Sequence, residues 1–246
     1  MKMYRLFCGS ILLMYLGLGS GCSNDATSDE TLSSADDRSA QQAQPQSKDD
    51  IHPVSGMRLP PINRDELDDY GKALYDAYVE EGRSPDEYWG PPGIRMNSPV
   101  VAEYYSKAND YLRYEAGLDP RLTELTILNA AREMDNDYEW NAHESRALKA
   151  GLSQEVIDVV KYSKPVPAHI DEKEAAIINL AREILRDHEV SSATFERALN
   201  LFGKKKLVEH VTLLGHYTAT AILLETFDQQ LPPGDVSSLP KLEDDL

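Results

Sequence analysis

"LDPRLTELTILNAAREMDNDYEWNAHESRALKAGLSQEVI", residues 118–157, reads as helix, turn, helix, turn and the start of a third helix. Asp119-Pro120 is a start signal, because proline at the first helical position lacks only an N–H that would go unpaired anyway. Behind it Leu122, Leu125, Leu128 and Ala131 recur at three-residue steps, the apolar stripe of a helix packed on one side. "YEWNAHESRALKAG" (138–151) then runs to a stop at Gly151, and "SQEVIDVVKY" (153–162) begins again. Glu139 and His143 stand four apart and so share one helical face.

Outward from this stretch the pattern stays helical. "NRDELDDYGKALYDAYVEEG" (63–82) opens on Asn63 with Glu66 three residues on, a capping-box signature, and stops at Gly82. "GRSPDEYWGPPGIRMNSP" (82–99) reads as a Pro/Gly loop, and Ser98-Pro99 starts the tyrosine-rich "VVAEYYSKANDYLRYEAG". Its Tyr104, Tyr105, Tyr111 and Tyr114 suit packing or an oligomer face. After residue 170 come "DEKEAAIINLAREILRDHEV", "SSATFERALNLFG" and "KKKLVEHVTLLGHYTATAILLETFDQQ" before Pro232-Pro233. The last of these is apolar around most of its circumference, which predicts burial in the core or in a subunit interface. No stretch alternates as a sheet would. The predicted fold is all-α, a single helical domain over 57–233, with a loose tail at 234–246.

The N-terminus reads differently. Lys2 and Arg5 precede "LFCGSILLMYLGL" (6–18), an apolar run suited to a secretory signal and short for a bilayer span of ~20 residues. "GSGC" then leads into Cys22, similar to a bacterial lipoprotein signal (1–21) in which Cys22 carries the lipid, although Leu18 sits one residue earlier than usual. Ser23 after the cysteine resembles outer-membrane sorting, so the expected location is the bacterial cell envelope, with a membrane contact made through the lipid. Residues 22–56 read as a disordered tether: 23–50 carry no aromatic residue and one large aliphatic, Leu32, and those 28 residues would span about 30 Å end to end.

Cys8 and Cys22 are the two cysteines of the chain, so cleavage and acylation would leave no free thiol. The formal charge of −17 becomes −19 once Lys2 and Arg5 are removed, which suits solubility and disfavours nucleic acid as a partner.

Residues 118–157 also carry a resemblance to the carboxymuconolactone decarboxylase and alkylhydroperoxidase D-like family. It rests on the Arg-x-x-Glu-Leu opening of one helix, the Tyr-Glu-Trp-x-x-His opening of the next and the Ala-Gly-Leu-Ser turn, and extends in outline over 95–233. In the peroxidase branch a helix-borne Glu precedes a Cys-x-x-Cys pair and a His. On this chain those positions hold Glu124, Asn136, Glu139 and His143, so both cysteines are replaced. Peroxide reduction by a self-contained disulfide cycle needs a thiolate to attack and a second thiol to resolve, and is therefore disfavoured.

The resemblance implies instead a cofactor-free acid–base enzyme acting on a small organic acid or lactone. Glu124, Glu139 and His143 are its candidate catalytic residues, with Tyr138, Trp140 and Asn136 as substrate-binding residues around them. A carboxylate holding one imidazole nitrogen fixes the tautomer of the other, and a second carboxyl desolvated by Tyr138 and Trp140 could stay protonated as an acid. Arg121, Arg132 and Arg146 are candidates to hold an anionic substrate.

A Glu plus Glu-x-x-x-His set is sparse for a metal, and no metal is expected. His216 reads as buried, and His52, His169, His188 and His210 as surface residues. The family also implies a homo-oligomer. The competing reading is a scaffold whose catalysis has lapsed, kept as an envelope binding or assembly module.

Overall fold

The computed structural model describes residues 50–82 and 89–242. The expected signal peptide (1–21), Cys22 and most of the expected tether lie outside the described residues.

The described chain is all-helical. A short 3-10 turn (Arg64–Glu66) leads to α1 (Asp69–Glu80), α2 (Pro91–Met96), α3 (Pro99–Asp110), α4 (Pro120–Glu133), α5 (Asp137–Lys149), α6 (Gln154–Lys161), α7 (Glu172–Arg182) and α8 (Ser192–Thr226). α3 and α7 each run on into one π-helical turn, Tyr111–Glu115 and Glu183–Asp187. α8 is broken at Gly203, whose φ of 69° is left-handed, so the two helices read from the sequence meet there.

The helix starts follow the local chemistry. Asp119 Oδ1 accepts from Arg121 N with Pro120 behind it, Ser153 caps α6, and Asp171 caps α7 through Lys173 N and Glu174 N. Three expectations need correction. Asn63 and Glu66 cap only the 3-10 turn, while α1 begins later under Asp68, whose carboxylate accepts from Gly71 N. The Pro/Gly stretch at 82–99, predicted as loop, holds α2, because Pro91 at a helix start is as favourable as in a turn. The tail is not loose over its described part: Leu239 is buried, Arg132 Nη1 donates to Pro240 O at 2.8 Å, and Asn141 Nδ2 donates to Val236 O at 2.9 Å.

The described end of the expected tether is ordered too. Arg58 N donates to Phe227 O and Gln230 N to Gly56 O, so residues 56–58 lie along the end of α8. Met57 is buried there against Ile94 and Leu224.

Two apolar clusters share α4. Leu122, Leu125, Leu128 and Ala131 meet α6, α7 and Trp140 on one side. Ile127 and Ala130 meet Leu112, Leu213, Leu214 and Tyr217 on the other. Every residue of α4 from Leu122 to Arg132 is buried, which makes it the central helix. Burial of this kind contributes ~1.5–3 kcal/mol for each large apolar side chain.

Candidate active site

Glu124 sits in the middle of this central helix, and α5 returns beside it after a tight turn. Asp135 takes a left-handed φ of 48°, and Asn136 N donates back to Ala131 O at 2.9 Å. Asn136 Oδ1 then accepts from Glu139 N at 3.0 Å, capping α5. The turn folds α5 back on α4 so that residues nineteen apart meet: His143 Nδ1 lies 2.6 Å from Glu124 Oε2. The other oxygen of Glu124 accepts from Arg113 Nη2 at 2.8 Å. Arg113 comes from the π-helical turn after α3, where the widened turn redirects a side chain relative to the α-helix before it.

Burial works to raise the pKa of Glu124, but the hydrogen bond and charge of His143 and the charge of Arg113 outweigh it and hold the carboxyl below its usual range. An ionised carboxylate can only accept, so Nδ1 of His143 carries a proton toward Glu124, and in the neutral form of the ring Nε2 is then the nitrogen with the lone pair. That Nε2 is 3.5 Å from Glu139 Oε2. Burial pushes Glu139 the opposite way, above the usual carboxylate range, with His143, Arg95 and Arg146 opposing less effectively. Two carboxyl groups on one imidazole are thus driven apart, one toward carboxylate and one toward acid. Glu124, Glu139 and His143 are 6%, 4% and 3% exposed.

Aromatic residues of α8 and α3 border this group. Tyr217 stands edge-on to His143 with ring centres 5.2 Å apart, and its hydroxyl donates to Asn109 Oδ1 at 3.1 Å. His216, expected to be buried, is half-buried; it lies 5.0 Å from Tyr105, and its partial burial next to the Arg95 charge pushes its imidazole down to about 4. Arg95 on α2 stacks its guanidinium 4.4 Å over the Tyr105 ring and donates to Thr220 Oγ1.

The residues expected around the substrate separate. Trp140 is fully buried in the cluster with Leu122, Leu125 and Leu128, because one step along a helix turns its side chain about 100° away from Glu139. Tyr138 packs on Met57, Ile94 and Leu224, and burial pushes its hydroxyl up to about 12. Asn136 and Tyr138 line a cleft of about 730 Å³ that runs under residues 228–235 and takes in none of Glu124, Glu139 or His143.

Two of the arginines expected as clamps are engaged elsewhere, and the third, Arg146, is exposed but near enough to Glu139 to act on its charge. Arg121 is 2.7 Å from Glu174, and Arg132 binds Pro240 O and Lys161 O. Arg113 and Arg95 were not foreseen; the one signal for either was its arginine in an otherwise ordinary helix or Pro/Gly stretch. His210, read as a surface residue, is buried and 3.1 Å from Thr126 Oγ1, and burial pushes it down to about 4. Among the described residues no three His, Cys, Asp or Glu side chains converge as a metal site would require.

Residues 99–183 match the carboxymuconolactone decarboxylase family. Among solved structures, an uncharacterized peroxidase-related protein from Ralstonia eutropha JMP134 with the alkylhydroperoxidase AhpD core aligns at a TM-score of 0.55, with 17% identity over 74% of this chain and 94% of that one. A debrominase solved with 2,3,4-tribromopyrrole aligns at 0.52, with 10% identity over 70% and 90%. A protein of unknown function from Agrobacterium tumefaciens, described there as an AhpD antioxidant defence candidate, aligns at 0.51, with 19% identity over 56% and 94%. At these identities the likeness is one of fold. No curated protein matches the sequence.

Proposed function

From the match of residues 99–183 to the carboxymuconolactone decarboxylase family, we propose that the chain is a member of that family and a cofactor-free acid–base enzyme acting on a small organic acid or lactone. The observation that carries the reading is the buried relay Arg113–Glu124–His143–Glu139. Glu124 holds the His143 ring and balances the imidazolium that forms when Nε2 takes a proton from carbon. Glu139, whose burial favours the protonated acid, returns a proton to carbon in the same cycle. For an isomerisation the two transfers balance. For a decarboxylation the electron pair left on carbon as carbon dioxide departs takes the Glu139 proton, which solvent then replaces.

The same proposal includes export as a lipoprotein anchored through Cys22 in the cell envelope, and self-association. The apolar residues Val208, Val211 and Ile222, exposed along α8, support the latter. The redox route of the peroxidase branch is not proposed, since the sequence has cysteine only at positions 8 and 22.

A second reading, a binding or assembly scaffold, is favoured by the low exposure of the three residues and by the displacement of the large cleft from them. Incubation of the protein in deuterium oxide with small keto acids and lactone acids separates the two. The enzyme reading predicts carbon-bound deuterium incorporation or carbon dioxide release that His143→Ala abolishes. Ligand binding with no exchange across the panel would favour the scaffold.

A further inference from the structure

Among the described residues Arg95 is a cation without an anion at ion-pair distance. It projects from α2, ahead of the family-matched segment, and is only partly exposed. Its guanidinium donates to the Thr220 hydroxyl, and its flat face lies 4.4 Å over Tyr105. No carboxylate of the described residues reaches it at ion-pair distance, whereas Arg113 and Arg121 each have a glutamate, at 2.8 Å and 2.7 Å. A guanidinium offers five N–H donors in a planar fork, so most of this one is unfilled. Burying a charge without a partner is costly, and an arriving anion would relieve that cost.

The neighbours suit a ligand rather than an internal partner. Glu139 is near enough to Arg95 for each to affect the other's ionisation, but its burial favours the neutral acid. His216 is held neutral and so can hydrogen-bond an oxygen without adding a second charge. The rings are contiguous from Tyr105 to His216 at 5.0 Å, His216 to Tyr217 at 5.5 Å and Tyr217 to His143 at 5.2 Å. They form a strip from the partly exposed cation to the buried imidazole.

We propose that Arg95 is the carboxylate-binding residue of the site, taking the carboxylate of a small organic acid on its open fork beside His216, with the acid's carbon skeleton directed along the Tyr105–Tyr217 strip toward His143 and Glu139. The inference rests on the acid–base reading and selects acids over neutral lactones.

The test uses 5-oxotetrahydrofuran-2-carboxylate as probe and γ-butyrolactone as its neutral counterpart, titrated into the whole protein while the arginine Nε–Hε resonances are followed by NMR. The acid is expected to shift the Arg95 signal, assigned by its loss in Arg95→Lys, and the neutral lactone to leave it in place. Arg95→Met should weaken the acid by about tenfold or more, Arg95→Lys by less, and the exposed Arg197→Met not at all. Circular dichroism of each variant checks that the fold survives.

Failure of the acid to bind, equal response to acid and lactone, or unchanged affinity in Arg95→Met would overturn the assignment. Binding at Arg95 with no proton exchange at carbon would sink the enzyme reading and leave this site standing. Exchange of carbon-bound hydrogen that Arg95→Met leaves at the wild-type KM would do the reverse.

Discussion

His143 Nδ1 and Glu124 Oε2 lie 2.6 Å apart in the core of the domain, and the carboxylate is completed by Arg113 on its other oxygen. Both ends of the Arg113–Glu124 pair are largely buried, with side-chain exposures of 12% and 8%. Breaking such a pair leaves a charge without a partner, a loss of ~3–5 kcal/mol. Glu124→Gln should therefore lower unfolding stability in urea by that order, and Arg113→Met on the same background should restore part of it. Because the Glu124 pKa is lowered in the fold, the wild type holds this contribution above the ordinary carboxylate range and loses it as pH falls through the lowered value. The glutamine variant should lack that acid-side step in a melting-temperature profile.

Glu139 predicts the opposite profile. Its folded pKa is raised by burial, so the contribution from the neutral acid is complete below the unfolded value of about 4.3 and is lost as pH rises through the folded value. Glu139→Gln mimics the neutral acid. It should melt higher than the wild type near neutral pH, with the gap closing in acid. Equal pH dependence of the two proteins would show that Glu139 is ionised in the fold.

In a turnover assay the two groups should separate by role. His143→Ala removes the proton acceptor and should lower kcat by ~100- to 10,000-fold, the range of general acid–base catalysis. Glu139→Gln should remove the alkaline limb of the wild-type pH–rate profile, because that limb reports loss of the Glu139 proton. A limb that persists in Glu139→Gln would have to come from another group.

The parts of this site that sequence disclosed are those fixed by short-range periodicity and by the family spacing. Glu139 and His143 share a face by helical geometry, and the nineteen-residue offset brought Glu124 to them. Arg113 was hidden because a π-helical turn changes the phase of α3 near its end, and no apolar pattern marks that change. Arg95 was hidden because α2 is six residues long, too short for periodicity to register against two prolines and a glycine. Trp140 misled for the opposite reason: sequence adjacency to Glu139 suggested shared surroundings, and helical rotation sends the two apart. The docked tail depended on backbone bonds to Arg132 and Asn141 that composition cannot reveal.

Gly90 tests how α2 is aimed. Its φ of 81° is in the left-handed region, and a Cβ there would lie 2.5 Å from the Tyr138 hydroxyl. Its N–H also donates to Gln229 Oε1 at 3.0 Å, tying the start of α2 to the end of α8. Gly90→Ala should cost ~1–3 kcal/mol of strain and tilt α2, weakening any ligand that Arg95 holds. Unfolding in urea reads the first effect, and titration with the carboxylate probe the second. Undiminished stability would mean that Tyr138 can swing aside at little cost.

The exterior of α8 makes the last prediction. Val208, Val211 and Ile222 are 64%, 40% and 53% exposed on a helix whose other face holds Leu213, Leu214, Tyr217 and Leu224 in the core. α3 lies alongside, tied by Tyr111 to Glu209 at 2.8 Å and by Tyr217 to Asn109, and adds the exposed Val101 and Tyr104. Gly215 and Ala219 between the apolar residues present small side chains that let a second helix approach closely. For an acidic chain this nearly uncharged strip is where copies can meet with least repulsion. Light scattering on the purified protein should give a mass above that of one chain. Val208→Lys with Ile222→Lys should return it to one chain without loss of helix content, since both side chains face outward. A wild-type mass of one chain at micromolar concentration would leave the strip to a different partner.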